Sequence, residues 1–442
     1  MCLSPKARAN FAYGESDTNP KKGMVIKMNK YVIIGNGTAA AGCIEGIRSV
    51  DSDGSITVVS KENRPVYCRP LISYYLEGKT RLENIGYRPG DFYEKNGCRV
   101  LYGKSAVKID SKGKKVYLED GTSLDYDSLC VAAGSSPFVP PMAGLETVEK
   151  KFGFMTLDDA LEVEKAITPD SRVLIVGAGL IGLKCAEGIL DRVASVTVCD
   201  LADRVLSSIL DSDGAAMMKK HLEARGMKFM LGDTAANFDK NTAHMKSGAD
   251  VEFDVLILAV GVRANTSLVK DAGGEVGRGI RIGSRCETSI ADVYAAGDCT
   301  ETTDVSDGGI KVMALMPNAY MEGHCAGVNM AGGDECFDNA IPMNSIGFFG
   351  LHAMTAGSRK GPAEGGEVYE DVTGEHIKKL YCADGKLCGF ELIGDNGRAG
   401  IYTDLIRRQV PLDTVDFEKL QIEPNLFGFS EDYRRKKLGG VV

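Results

Sequence analysis

The stretch Tyr31-Val32-Ile33-Ile34-Gly35-Asn36-Gly37-Thr38-Ala39-Ala40 decides the fold. Its apolar run has the pattern of a buried parallel strand. That run leads straight into a glycine turn, a helical stretch to about Ser49, and a second strand from Ser55 to Val59, which together make a βαβ unit. In such a turn Gly35 permits the tight bend. Gly37 lets a dinucleotide pyrophosphate come close to the backbone N–H groups where Thr38 and Ala39 open the helix. Ala40 stands where a third glycine packs helix on strand, and alanine is a permitted variant there.

The design recurs further along. Val173 to Val176 reads as a strand, Gly177-Ala178-Gly179-Leu180-Ile181-Gly182 as the turn, Leu183 to Leu190 as a helix and Val196 to Cys199 as the next strand. One such match is a weak signal; two, each between a strand and a helix, read as an internal duplication. Asp200 ends the second strand of this unit, where a carboxylate takes the adenosine ribose hydroxyls and repels a 2′-phosphate. NAD(H) is therefore expected over NADP(H), although Arg204 lies within reach of such a phosphate. The first unit's counterpart is Glu62, whose other reading is a solvated loop carboxylate.

Segments 98–102, 106–110 and 115–118 read as a β-meander with Asp120-Gly121 as a turn, and Leu129 to Ala133 as a buried strand ending at Gly134. Lys228 to Leu231 and Val255 to Val260 add strands. A helix is expected from about Asn318 to Met330, and a segment from about 336 has strand and helix signals of its own. Residues 1–28 form a polar, turn-rich extension without the apolar core of a secretory signal; a start at Met24 or Met28 is the other reading.

Composition narrows the class. The 442 residues suffice for several domains, and 44% hydrophobic with 26% charged residues is ordinary for a globular chain. A net charge of −9 argues against nucleic acid or an anionic membrane as the main partner. No apolar run approaches the roughly 18 residues needed to cross a bilayer. The 13 cysteines show no C-x-x-C spacing and suit a reducing cytoplasm. The histidines (His221, His244, His324, His352, His376) show no ligand spacing, so no metal is expected.

The two fingerprints, with Ala132-Ala133-Gly134, Val260-Gly261-Val262-Arg263 and Tyr294-Ala295-Ala296-Gly297-Asp298, resemble the two-dinucleotide-binding flavoproteins, the pyridine nucleotide-disulfide oxidoreductase family. The resemblance covers about residues 30 to 335. It implies an α/β fold with two Rossmann-like domains, the FAD domain interrupted by the NAD domain, followed by a C-terminal α+β domain. The implied divisions are an extension at 1–28, FAD-binding parts at 29–150 and 266–335, an NAD(P)H-binding domain at 151–265 and an interface or dimerisation domain at 336–442. FAD would contact the first fingerprint, Glu62, Val107, Ala133, Gly134 and Gly297. Asp298 would accept a hydrogen bond from its ribityl chain, and the helix at Asn318-Ala319 would cover the flavin edge. NAD(H) would contact Gly177, Gly179, Leu180, Ile181, Gly182, Asp200 and Gly261. Tyr67-Cys68-Arg69-Pro70-Leu71-Ile72-Ser73 is similar to a loop of rubredoxin reductases and of the NADH-binding part of nitrite reductases. It would set Arg69 by the FAD phosphates and Pro70 near the ring.

Two departures bear on mechanism. The paired cysteines of the disulfide reductases are missing. Cys68 lies near the single cysteine of the peroxidase branch, but without its Ser-Phe pair, so it is either a redox nucleophile or a bystander thiol. Relatives often carry a glutamate two residues after the last glycine of the NAD turn, paired with a flavin-side lysine; here Lys184 stands there, and the usual lysine region has Tyr74 instead. It is either a cation at the flavin edge, favouring the anionic reduced flavin, or a solvated helix lysine. The resulting expectation is an FAD-dependent NAD(P)H oxidoreductase passing electrons to rubredoxin or an iron–sulfur partner, as a homodimer or a subunit of a larger complex. The alternatives are a peroxide, oxygen or disulfide reductase using Cys68, and an NADH-sensing flavoprotein.

Overall fold

The structure, a computed structural model, describes residues 28–359 and 366–438. All of the expected N-terminal extension except Met28 lies outside the described residues.

The duplication extends to whole sheets. The first parallel sheet runs Val293–Ala295, Ser128–Val131, Lys30–Ile34, Ser55–Ser60, Cys98–Tyr102. The second runs Lys151–Phe152, Val255–Leu258, Arg172–Val176, Ser195–Asp200, Lys228–Leu231, with the fingerprint strand again in the middle. Ile33 pairs with Val58 on one side and Cys130 on the other; Ile175 likewise pairs with Val198 and Ile257. Strands flanked on both sides by neighbours and helices must be apolar throughout, and Val32, Ile33, Leu174 and Ile175 are buried accordingly.

Each unit also carries a three-stranded antiparallel meander. In the first it is Ala106–Asp110, Lys115–Leu118 and Ser123–Asp125; in the second, Ala235–Asp239, Thr242–Met245 and Asp250–Glu252. The expectation for segment 98–102 is corrected here. It pairs in parallel with Ser55–Ser60 as the sheet's edge strand, and Ser123–Asp125 takes its place in the meander. A short alternating run fits either setting, and only the non-local partner decides.

The chain leaves the first unit along Ser135–Pro137 and returns along Val262–Ala264, and these two segments pair antiparallel. Asn265 fastens the crossing: its amide Nδ2 donates to Ala133 O at 2.8 Å, and Ser136 Oγ donates to its Oδ1 at 2.8 Å. A five-stranded antiparallel sheet follows, built from Met343–Phe348, Leu351–Gly357, Glu367–Val372, Ile377–Ala383 and Lys386–Ile393. Helix Gly400–Arg407 packs on it through Tyr402, Leu405 and Ile406.

Helices Thr38–Val50 and Met316–Met330 meet backbone to backbone. A Cβ on Gly42 would lie 2.4 Å from Tyr320 O, on Gly46 2.2 Å from His324 O, on Gly323 2.0 Å from Ala39 O and on Gly327 2.1 Å from Cys43 O. Gly42 and Gly46, and Gly323 and Gly327, are each four residues apart and so share a helix face. Only hydrogen at these positions allows the approach.

Candidate functional site: two dinucleotide cradles

Both fingerprint turns have the same geometry. Gly35 has φ +111° and Gly177 φ +119°, in the region that favours glycine. A Cβ would strike Ala132 O at 2.0 Å in the first and Ala259 O at 2.2 Å in the second. Their N–H groups donate to Val59 O and Cys199 O, both at 2.8 Å, which binds each turn to the neighbouring strand. The second glycines differ in kind: a Cβ on Gly37 or Gly179 would meet nothing within 4 Å among the described residues. Gly37 and Gly179 are also the N-caps of their helices, and no side chain caps either end. The first-turn amides at Thr38, Ala39 and Ala40, and at Leu180, Ile181 and Gly182, therefore face a space open to an anion. At the third position, Ala40 is fully buried, whereas a Cβ on Gly182 would sit 2.0 Å from Gly177 O.

Around the first cradle several expected residues converge. Gly35 touches the Ala132–Ala133 backbone, and Gly134 turns at φ +63°. Gly297, at φ +83°, abuts Ala39 and Ala319; a Cβ there would be 3.0 and 3.4 Å from their Cβ atoms. Burial pushes the Asp298 carboxyl up from its ordinary value, while the Arg69 guanidinium and a hydrogen bond with Ser135 pull it back. Arg69 pairs with Glu62, and Tyr67 Oη donates to Glu62 Oε2 at 2.8 Å. Glu62 is thus neither a free loop carboxylate nor an unengaged acceptor. Arg69 also donates to Met155 O at 3.0 Å, and Pro70 caps the short helix Leu71–Leu76. Asn318 is buried, with Nδ2 donating to Ile341 O at 3.0 Å and Oδ1 accepting from Arg407. Val107 stands 56% exposed at a bulge in the meander.

In the second cradle Asp200 is held by backbone. Its carboxylate accepts from Ala178 N–H at 2.7 Å and Ala202 N–H at 2.8 Å. Gly261, at φ +125°, stands directly before Val262–Ala264, and its carbonyl accepts from Phe138 N–H at 2.9 Å. Arg204 turns to Asp203, its Nη1 3.0 Å from the carboxylate.

Lys184 is not the solvated helix lysine of one of its two expected readings. Its Nζ donates to Glu187 Oε2 at 2.6 Å and to Gly347 O, and lies 4.5 Å from the Phe348 ring centroid and 5.4 Å from that of Tyr74. Glu187, 5% exposed, also accepts from Phe349 N–H at 2.8 Å. Lys184 therefore ties the second cradle's helix to helix Leu71–Leu76 and to the C-terminal sheet, desolvated rather than solvated. Cys68 is half-buried in its loop, and burial pushes its thiol up, away from the reactive thiolate.

One buried acid beside the first cradle was not anticipated from the sequence. Glu322, 2% exposed on helix Met316–Met330, accepts from Gly297 N–H at 2.7 Å and Thr300 Oγ at 2.9 Å. Burial pushes its carboxyl up to about 7. A charged residue four positions after Asn318, on the same face of an apolar helix, was the available signal.

The sequence profile of the pyridine nucleotide-disulphide oxidoreductases matches residues 29–323. The chain belongs to this family. It is 34% identical to the NADH-dependent phenylglyoxylate dehydrogenase subunit epsilon of Aromatoleum evansii, over 88% of this chain and 93% of that one. An NADH oxidase of Methanocaldococcus jannaschii is 31% identical over 82% of this chain and 87% of its own length. The NADH-rubredoxin oxidoreductase of Clostridium acetobutylicum is 27% identical over 75% and 82%. Putidaredoxin reductase, solved in covalent complex with putidaredoxin, shares the fold with a TM-score of 0.80 at 23% identity, over 93% of this chain and 98% of that one.

The protein is thus an FAD-dependent NAD(P)H oxidoreductase of the pyridine nucleotide-disulphide oxidoreductase family, with FAD and NAD(H) as its cofactors. The two open, uncapped helix N-termini fit both groups. Among the described residues no helix is long and apolar enough to cross a membrane.

Proposed function

We propose that this flavoprotein passes electrons between NAD(H) and a protein acceptor of the rubredoxin or iron–sulfur type, in the cytoplasm, as the flavin subunit of a larger NAD-linked assembly. The observation that carries the reading is the state of Cys68. It is a half-buried thiol that burial pushes up from its ordinary value, in a chain without the paired cysteines of the disulfide reductases. Electrons then have no thiol relay to enter. The relative from Aromatoleum, named as a dehydrogenase subunit, supports the same reading.

The FAD group takes up two electrons together and gives them out singly. The work of this chain is positioning. Gly37 and the amides from Thr38 to Ala40 would hold the FAD pyrophosphate, Asp298 the ribityl hydroxyls, and Asn318-Ala319 the helix over the ring edge. Gly179 to Gly182 would hold the NAD pyrophosphate and Asp200 the adenosine ribose, which favours NADH over NADPH. Gly134, Gly261 and Asn265 fix the neck between the two cradles. The units carrying these residues are 29–150 with 266–335 for FAD, 151–265 for NAD(H) and 336–442 for contact with other chains.

The test is anaerobic stopped-flow reduction, following flavin absorbance with NADH and then NADPH. Fast bleaching by NADH, followed by reoxidation by rubredoxin or a ferredoxin faster than by dioxygen or peroxide, is the expected result. The likeness to an NADH oxidase favours a second reading, transfer to dioxygen. Faster reoxidation by dioxygen than by any iron–sulfur protein would establish that reading instead.

A further inference from the structure

A buried carboxylate without a cation is costly unless it holds a proton. Glu322 is in that position. Its Oε2 takes the Gly297 N–H and the Thr300 hydroxyl, and the ionisable groups that face it are Asp298, Cys299 and Cys286. Burial pushes the Cys299 thiol up to about 12, and a hydrogen bond with Cys325 together with burial raises Cys286, so both thiols stay neutral. The Arg69 guanidinium acts on Asp298. Arg69 thus offsets part of the burial at Asp298, whereas among the described residues no cation acts on Glu322, behind the same turn. Gly297 joins the two: its N–H reaches Glu322, and the residue after it is Asp298.

We propose that Glu322 is the group that takes up a proton when the bound flavin is reduced and releases it on reoxidation. This rests on the reading that the Gly297-Asp298 turn lies on the cofactor. NADH delivers a hydride, two electrons and one proton, and leaves as NAD+; the site gains one negative charge. One solvent proton then adds to the Glu322 carboxylate. When an acceptor removes both electrons, the proton delivered with the hydride and the Glu322 proton return to solvent.

The sign is fixed by the direction of the shift. A negative charge nearby raises the pKa of a carboxyl, so extra uptake occurs only where Glu322 is ionised beforehand, above about pH 7. The midpoint potential should then fall with pH by one proton per two electrons below that point and by two protons per two electrons just above it. Titration of the flavin ring itself bends the plot the other way, becoming shallower as pH rises.

The experiment is a dye-equilibrated anaerobic potential titration of the flavin-loaded protein from about pH 5.5 to about pH 9. Steepening near neutrality in the wild type, with a constant one-proton slope in Glu322→Gln, is the expected result. Glutamine keeps an oxygen for Gly297 and Thr300 and removes only the proton. Steepening that persists in Glu322→Gln overturns the proposal, as does a one-proton slope throughout in the wild type. Should Glu322→Gln fail to retain flavin, the wild-type curve decides, with the reduced-minus-oxidised infrared spectrum. Absence of a new protonated-carboxyl band on reduction above neutral pH overturns the proposal. A protein holding no flavin that NADH reduces overturns the parent reading as well; a reducible flavin with a straight slope overturns this one alone.

Discussion

The two cradles are built on one plan and closed in different ways. Each has the same blocked first glycine, the same open second glycine and the same central strand. The helix of the first is then locked against Met316–Met330 by backbone contacts at Gly42, Gly46, Gly323 and Gly327. The helix of the second has a looser neighbour. A Cβ on Gly188 would be 3.0 Å from Leu76 Cβ and Ser73 O, and the bonds from Lys184 to Gly347 O and from Phe349 N–H to Glu187 supply the rest of the closure. The acids differ too: Glu62 is paired by side chains, Asp200 by backbone amides. Loop chemistry sets what can bind, whereas the packing behind the loop sets how permanently. The first cradle suits a resident group and the second one that comes and goes.

Substitutions can break that contrast in order of severity. Gly327→Leu forces a side chain into the Cys43 carbonyl and should cost about 3 kcal/mol or more. Expected is a protein purified without flavin, read from the ratio of absorbance at the flavin band to that of the protein; retained flavin would refute the lock. Asp200→Ala removes a charged acceptor in the second cradle and should raise the Km for NADH by about 10- to 100-fold at unchanged flavin content. Loss of flavin in this variant would mean that the cradles are not independent.

Lys184→Met leaves Glu187 buried beside an apolar neighbour and should lower stability by about 2 kcal/mol, measured by thermal unfolding. Adding Glu187→Gln should restore most of it. If the double variant is no more stable than the single, the pair is not what fastens the second helix. Cys68→Ser should change turnover with an iron–sulfur acceptor by less than about twofold. A larger drop would bring back the thiol as a participant.

The cradles were legible because their determinants are local: an apolar run, glycines at fixed spacing and an acid at the next strand end all fall within one βαβ unit. What escaped were features whose partners are distant in sequence. The strand Cys98–Tyr102 has the alternation of a meander strand, and its placement depends on pairing with Ser55–Ser60. Lys184 meets Gly347 and Phe348, which no spacing rule connects to it. The paired glycines of the two long helices are visible in each helix alone, but only their facing arrangement gives them meaning. Glu322 was written in plain view, yet burial is a property of the assembled core rather than of its own segment.

The antiparallel pairing of Ser135–Pro137 with Val262–Ala264 sets the entry and exit of the nucleotide unit side by side. The intervening segment is thus a cassette closed at its own base. An insertion joined in this way has both covalent joints in a single place, while Gly188 and Lys184 hold its helix against Leu71–Leu76 and the C-terminal sheet. Exchange of coenzyme preference by grafting is therefore a matter of matching one two-stranded seam and the few contacts along that helix.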